Sequence, residues 1–190
     1  MKSFCLSYKV LLLVIVGSFC ITAQEKVTSV EFDQEIVAIK LASKPQRALF
    51  ESRENGDLVK DGFFTTRWKK QFWLFQHEGN QFYKIKNVVS NRFISASRNS
   101  FNELIMVSEK SVSNESLLWQ IVVAEENQFK LKSLKEDKYL TFGEFNHTGT
   151  MLVDYKDDLK QLLVFEKIEG AKANKENTLL SKPSLVSTAK

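Results

Sequence analysis

Residues 80–87 read Asn-Gln-Phe-Tyr-Lys-Ile-Lys-Asn, and residues 127–133 read Asn-Gln-Phe-Lys-Leu-Lys-Ser. Both stretches follow acidic turn residues and then alternate apolar with polar side chains. That period of two belongs to a strand with one buried face. A shift of 46 lines up further apolar positions three at a time: Val37, Tyr83 and Phe129; Ile39, Ile85 and Leu131; Ala48, Ile94 and Leu140; Val59, Ile105 and Met151; Trp73, Trp119 and Phe165. The Asn-Gln-Phe match itself runs at 47, which calls for one inserted residue in the form of a bulge.

Each repeat holds four short runs rich in Phe, Val, Ile, Leu, Tyr and Trp, separated by Asn, Gly, Ser, Glu and Asp. In the second repeat they fall near 81–87, 92–96, 104–108 and 117–123. No segment of 30–169 keeps a helical period for three turns. An all-β chain of three repeats of about 46 residues, with about twelve strands, is the pattern of a β-trefoil. A propeller needs at least four blades, and a lipocalin-like barrel has no reason to repeat at this spacing. A two-sheet sandwich remains as the competing architecture.

The two ends differ from the repeats. Lys2 and Lys9 precede the apolar run Val10–Val16, and Ile21-Thr22-Ala23 offers a small residue for cleavage. This is the layout of a secretory signal peptide over 1–23. The run is too short for a membrane span, which takes about 20 residues. Cys20 invites a lipoprotein reading, but bulky Phe19 stands where a small residue is wanted. Residues 24–35 form a lead-in, 36–169 the trefoil, and 170–190 a polar tail expected to be mobile. The chain's two cysteines, Cys5 and Cys20, both lie in the signal, so the exported protein is expected to be free of disulfides and to depend on packing alone.

Charge redistributes in the same way. Residues 24–170 carry 21 basic against 22 acidic side chains, a net of −1, so the basic balance of the whole chain belongs to its ends. A folded basic face of the kind that binds nucleic acid is not expected. Catalytic chemistry is also thin. His77 and His147 lack metal-ligand spacing, and no nucleophile elbow, phosphate loop or dinucleotide fingerprint occurs. The acidic pairs Glu125-Glu126, Glu136-Asp137 and Asp157-Asp158 fall at expected strand ends, where solvated turns account for them. No enzyme activity, cofactor or metal is expected.

Gln71-Phe72-Trp73 resembles the Gln-x-Trp signature of ricin-type β-trefoil lectins. The corresponding stretches read Leu117-Leu118-Trp119 and Leu163-Val164-Phe165. The segments Arg92-Phe93-Ile94-Ser95-Ala96 and Lys138-Tyr139-Leu140-Thr141 resemble a strand shared more widely among β-trefoils. The resemblance implies carbohydrate binding. It also implies a sugar-binding Asp in that strand, yet the matching positions hold Leu49, Ser95 and Thr141.

Two loops pair an aromatic ring with charged groups, as sugar sites require. In the third repeat, Asp154, Tyr155 and Asp157 set a ring beside carboxylates; a solvated acidic turn is the alternative. In the first, Trp68 stands among Arg67, Lys69 and Lys70 and either anchors a ligand or packs on the barrel rim. The expected partner is a glycan or, in the competing reading, an extracellular protein. Nucleic acid, and membrane insertion after cleavage, are not expected; the expected location is secreted or periplasmic. N-terminal sequencing of the exported protein is expected to begin at Gln24, and a start at Met1 would count against cleavage.

Overall fold

The computed structural model describes residues 32–52, 57–144, 149–156 and 158–169. The expected signal peptide (1–23) and tail (170–190) lie outside the described residues. The first repeat contributes β1 (Ile36–Leu41), β2 (Lys44–Ser52), β3 (Leu58–Phe63) and β4 (Phe72–His77). The second contributes β5 (Phe82–Asn87), β6 (Phe93–Arg98), β7 (Leu104–Val107) and β8 (Trp119–Glu125). The third contributes β9 (Gln128–Ser133), β10 (Tyr139–Thr141), β11 (Met151–Val153) and β12 (Leu163–Lys167). Among the described residues the remaining regular structure is single 3-10 turns.

Antiparallel pairing runs in a closed ring: β1 with β4, β4 with β5, β5 with β8, β8 with β9, β9 with β12, and β12 back to β1. The second and third strands of each repeat pair as a hairpin over one end of this barrel. The three hairpins touch through Leu58 and Ile105, Lys60 and Gly149, and Glu103 and Met151. A Cβ at 149 would overlap the Glu103 side chain, which would have to move to admit one. The Gly149 N–H instead donates to the Glu103 carboxylate at 3.1 Å.

Strand pairing corrects the sequence register in three places. Phe50, Ser95 and Thr141 pair with Lys60, Ile105 and Met151, so Lys60 and not Val59 matches Ile105 and Met151. Lys40, Lys86 and Lys132 pair with Ala48, Phe93 and Tyr139, so Leu49, Ile94 and Leu140 are equivalent, not Ala48, Ile94 and Leu140. A register shift at Lys40/Leu41 takes up the difference. At the barrel, Trp73, Trp119 and Leu163 pair with Val37, Tyr83 and Phe129. Phe165 therefore does not match Trp119; it corresponds to Phe75. The third repeat reaches its barrel strand two residues sooner than the second. The offset expected at Asn127 is present as a bulge between Val123 and Glu125.

The barrel interior is a single apolar cluster. Trp73 and Trp119 are wholly buried, and each indole N–H donates to a hairpin carbonyl, Leu49 O at 3.2 Å and Ile94 O at 3.1 Å. These bonds tie hairpin to barrel and satisfy both buried indole donors. Phe32, within the expected lead-in, is also core. Its ring lies 5.7 Å from Phe75, 5.5 Å from Phe129 and 5.1 Å from Phe165, edge-on to the last two.

One charged pair sits among these apolar groups. Asp61 faces Leu49 across its hairpin, where the other repeats set Met106 against Ile94 and Leu152 against Leu140. The Asp61 carboxylate is fully buried and pairs with Arg47 of β2, whose guanidinium also donates to Gly143 O at 3.3 Å. Arg92, the equivalent of Arg47, pairs with buried Glu51 and with Asp57 at 2.5 Å.

Two stability predictions follow from this packing. Phe32→Ala should cost about 3–5 kcal/mol in denaturant unfolding, whereas a residue outside the core would cost under about 0.5 kcal/mol. Asp61→Ala should cost about 3–5 kcal/mol by stranding Arg47. Arg47→Met combined with Asp61→Leu should recover most of that loss, since it removes both buried charges and Met106 and Leu152 already hold the place of Asp61 in the other repeats.

Candidate functional site

Each repeat returns from its hairpin to the barrel through a loop ending in a single 3-10 turn, at Lys69–Gln71, Asn114–Leu117 and Leu159–Gln161. In the first and third repeats that turn ends in a fully buried glutamine. A buried amide needs partners for both its oxygen and its nitrogen. Gln71 Nε2 donates to Phe63 O at 2.7 Å, and its Oε1 accepts from Thr65 N at 2.9 Å. Gln161 Nε2 donates to Asp154 O at 3.0 Å, and its Oε1 accepts from Lys156 N at 3.1 Å. Gln161 is thus the structural counterpart of Gln71, and the third repeat keeps the glutamine while replacing the tryptophan by Leu163. Sequence reasoning placed Leu163 at the glutamine position because the shortened loop was invisible to a constant shift.

The amide of Gln161 grips the backbone on either side of residue 155 and turns the Tyr155 side chain outward, 63% exposed. Beneath it, Lys130 of β9 is buried and holds its ammonium 4.0 Å from the ring centre while donating to Lys156 O at 3.2 Å. The Tyr139 ring meets Tyr155 edge-on at 5.5 Å. A buried ammonium is tolerable only with such partners, so the ring is held on one side by the protein. Asp154 is exposed beside it, with its carboxylate 3.7 Å from Lys138. Asp157 lies outside the described residues.

The first and second repeats fill the same frame differently. In the first, Lys40 lies 3.7 Å over the ring of Phe64, which is half-buried. In the second, Glu109 occupies the place of Tyr155 and pairs with buried Lys84 at 2.8 Å, with Glu78 at 3.3 Å. Burial pushes the Lys84 ammonium down, but the hydrogen bonds to these carboxylates outweigh it and hold the group above the ordinary lysine range. Trp68 opens the 3-10 turn of the first repeat at 53% exposure, and Phe63, the last residue of β3, is 60% exposed. It belongs to a different repeat from Tyr155, on the corresponding loop, so the candidate residues form two separate groups.

The strand position where the lectin resemblance implies an Asp is also corrected by the register. It holds Phe50, Ser95 and Thr141, because Leu49 points into the core. The hydroxyls are occupied internally. Ser95 Oγ accepts from Ser97 N at 3.0 Å, and Thr141 Oγ1 donates to Tyr139 O at 3.1 Å while accepting from Gln161 Nε2 at 3.2 Å. No carboxylate takes that role. Lys130, Tyr139 and Gln161 were missed as site residues. Only the repeated Lys at 84 and 130 hinted at them in the sequence.

Residues 69–154 match the ricin-type β-trefoil lectin domain-like family. Among solved structures, the designed threefold protein ThreeFoil aligns with a TM-score of 0.61 at 15% identity, covering 70% of this chain and 99% of its own. A ricin B-like lectin of Macrolepiota procera, in complex with lactose, gives 0.61 at 15% identity over 74% of this chain and 100% of that one. A Culex salivary protein of the cysteine- and tryptophan-rich family gives 0.59 at 21% identity, over 73% and 96%. No curated protein sequence matches. The chain is therefore a β-trefoil, and its segment 69–154 carries the sequence pattern of the ricin-type lectin-like domains.

Proposed function

We propose that this chain is an exported carbohydrate-binding module without catalytic activity, using Tyr155 of the third repeat as its stacking platform. The observation that carries the reading is the exposed Tyr155 ring, held by Lys130 and Tyr139 on a loop braced by Gln161. A pyranose presents an apolar face of C–H groups, which packs on an aromatic ring, and hydroxyls that need nearby acceptors and donors. Asp154 and Lys138 supply these at the ring's edge. The lactose-bound relative and the family pattern over 69–154 support the same class of ligand. The signal-like sequence before Gln24 supports export.

A second reading is a protein-binding trefoil that docks on the first repeat. It is favoured by the absence of a carboxylate at Phe50, Ser95 and Thr141, and by the exposure of Phe63 and Trp68. Exposed aromatic residues of this kind anchor protein interfaces.

A glycan-array screen of the exported chain separates the two. Tyr155→Ala should lower binding to the selected glycan about tenfold or more, the loss of one stacked ring, while Trp68→Ala leaves it unchanged. Unchanged binding in Tyr155→Ala would overturn the site. Silence from folded protein, together with capture of an extracellular protein that Trp68→Ala abolishes, would establish the second reading.

A further inference from the structure

We propose that the cleft between the β1–β2 turn and the β11–β12 loop holds the acid group of a saccharide chain, a sulfate or a carboxylate. The inference rests on the carbohydrate reading and narrows it to acidic glycans. The cleft has a volume of about 550 Å³, within the range of small-ligand sites. It lies at the seam where the first and last repeats meet through the β1–β12 pairing.

Cations outnumber acids in its lining. Lys44, Arg47, Lys156 and Lys160 face it against two acids, Glu144 and Asp158. Both acids are committed: Glu144 pairs with Lys160 at 3.2 Å, and Asp158 Oδ1 accepts from Lys160 N at 2.9 Å. Arg47 is paired with Asp61. Lys44 and Lys156 remain, both exposed and neither with an ion-pair partner among the described residues. Two ammonium groups lining one cleft suit an anionic group. This positive charge is local, because residues 24–170 carry a net of −1.

The rest of the lining suits a sugar ring. Leu159, 62% exposed, offers an apolar surface, and Ser43 adds a hydroxyl. Lys156 follows Tyr155 directly, and it lines the cleft while Tyr155 stands outside it. A saccharide chain that extends from Tyr155 past Lys156 would reach the cleft. A nucleic acid would need a longer basic track and further stacking rings, which the cleft does not provide.

The test uses the full exported chain against immobilised heparin, fully desulfated heparin and the neutral glycan selected on the array. Lys44→Gln with Lys156→Gln should weaken heparin binding about tenfold or more and flatten its salt dependence. A control pair on other loops, Lys110→Gln with Lys135→Gln, should change it by less than about twofold. The lysines of 171–190 are present in every variant, so they cancel in the comparison. Retained binding to desulfated heparin would assign a carboxylate, and its loss a sulfate; either supports the proposal. Equal losses in the two lysine pairs would overturn it. So would neutral-glycan binding without heparin binding, which leaves the Tyr155 site standing. Failure with all three ligands would overturn the carbohydrate reading itself.

Discussion

Closure of the barrel through β1 is the constraint on which the rest of the structure depends. β1 pairs on one side with β4 of its own repeat and on the other with β12 of the last. Without both contacts the six barrel strands would be an open sheet with two unpaired edges. With them, every barrel strand has two neighbours, and the interior can be filled from all sides. Phe32 gains its place from that closure, since it packs at once against Phe75, Phe129 and Phe165 from three different strands. In a chain whose cysteines precede the fold, apolar packing carries the stability that a disulfide would otherwise supplement.

Closure also sets where polar groups are buried. The loops that return from hairpin to barrel pass over the outer face of the barrel strands and cover their lysines. Lys40, Lys84 and Lys130 are all buried there, and each is answered locally: by Phe64 and Glu166, by Glu109 and Glu78, and by Tyr155 with Lys156 O. One architectural demand, a partner for a buried ammonium, thus accepts an aromatic ring or a carboxylate. Where the partner is an exposed ring, as at Tyr155, the same contact leaves an outward face for a ligand. The glutamines 71 and 161 serve these loops as internal braces, so retention of that residue type speaks first of loop geometry.

Much of the fold was legible in the residues. The alternation around Tyr83-x-Ile85 and Phe129-x-Leu131, and its return at Val37-x-Ile39, identified the barrel strands and their threefold repetition. The register was less accessible. A constant shift of 46 aligned Phe165 with Trp119 because both are aromatic, whereas the pairing places Leu163 there. The shift failed because hairpin strands and loops absorb single insertions and deletions at little cost on the surface, and a local pattern cannot detect them. The candidate site was legible in part. Tyr155 and Trp68 stood out as aromatic residues in polar loops, while Lys130 and Tyr139, distant in sequence and inconspicuous there, did not.

The sequence by itself determined the class of structure, its three repeats and the absence of a disulfide framework in the repeats, because these depend on composition and short-range periodicity. Tertiary structure decided which residues are equivalent, which hydroxyls are already occupied, and where Lys44 of the first repeat meets Lys156 of the third. Those features arise only when the chain's two ends pair in the barrel. The contact between β1 and β12 joins residues more than a hundred positions apart, and no local pattern encodes the distance between side chains brought together by it.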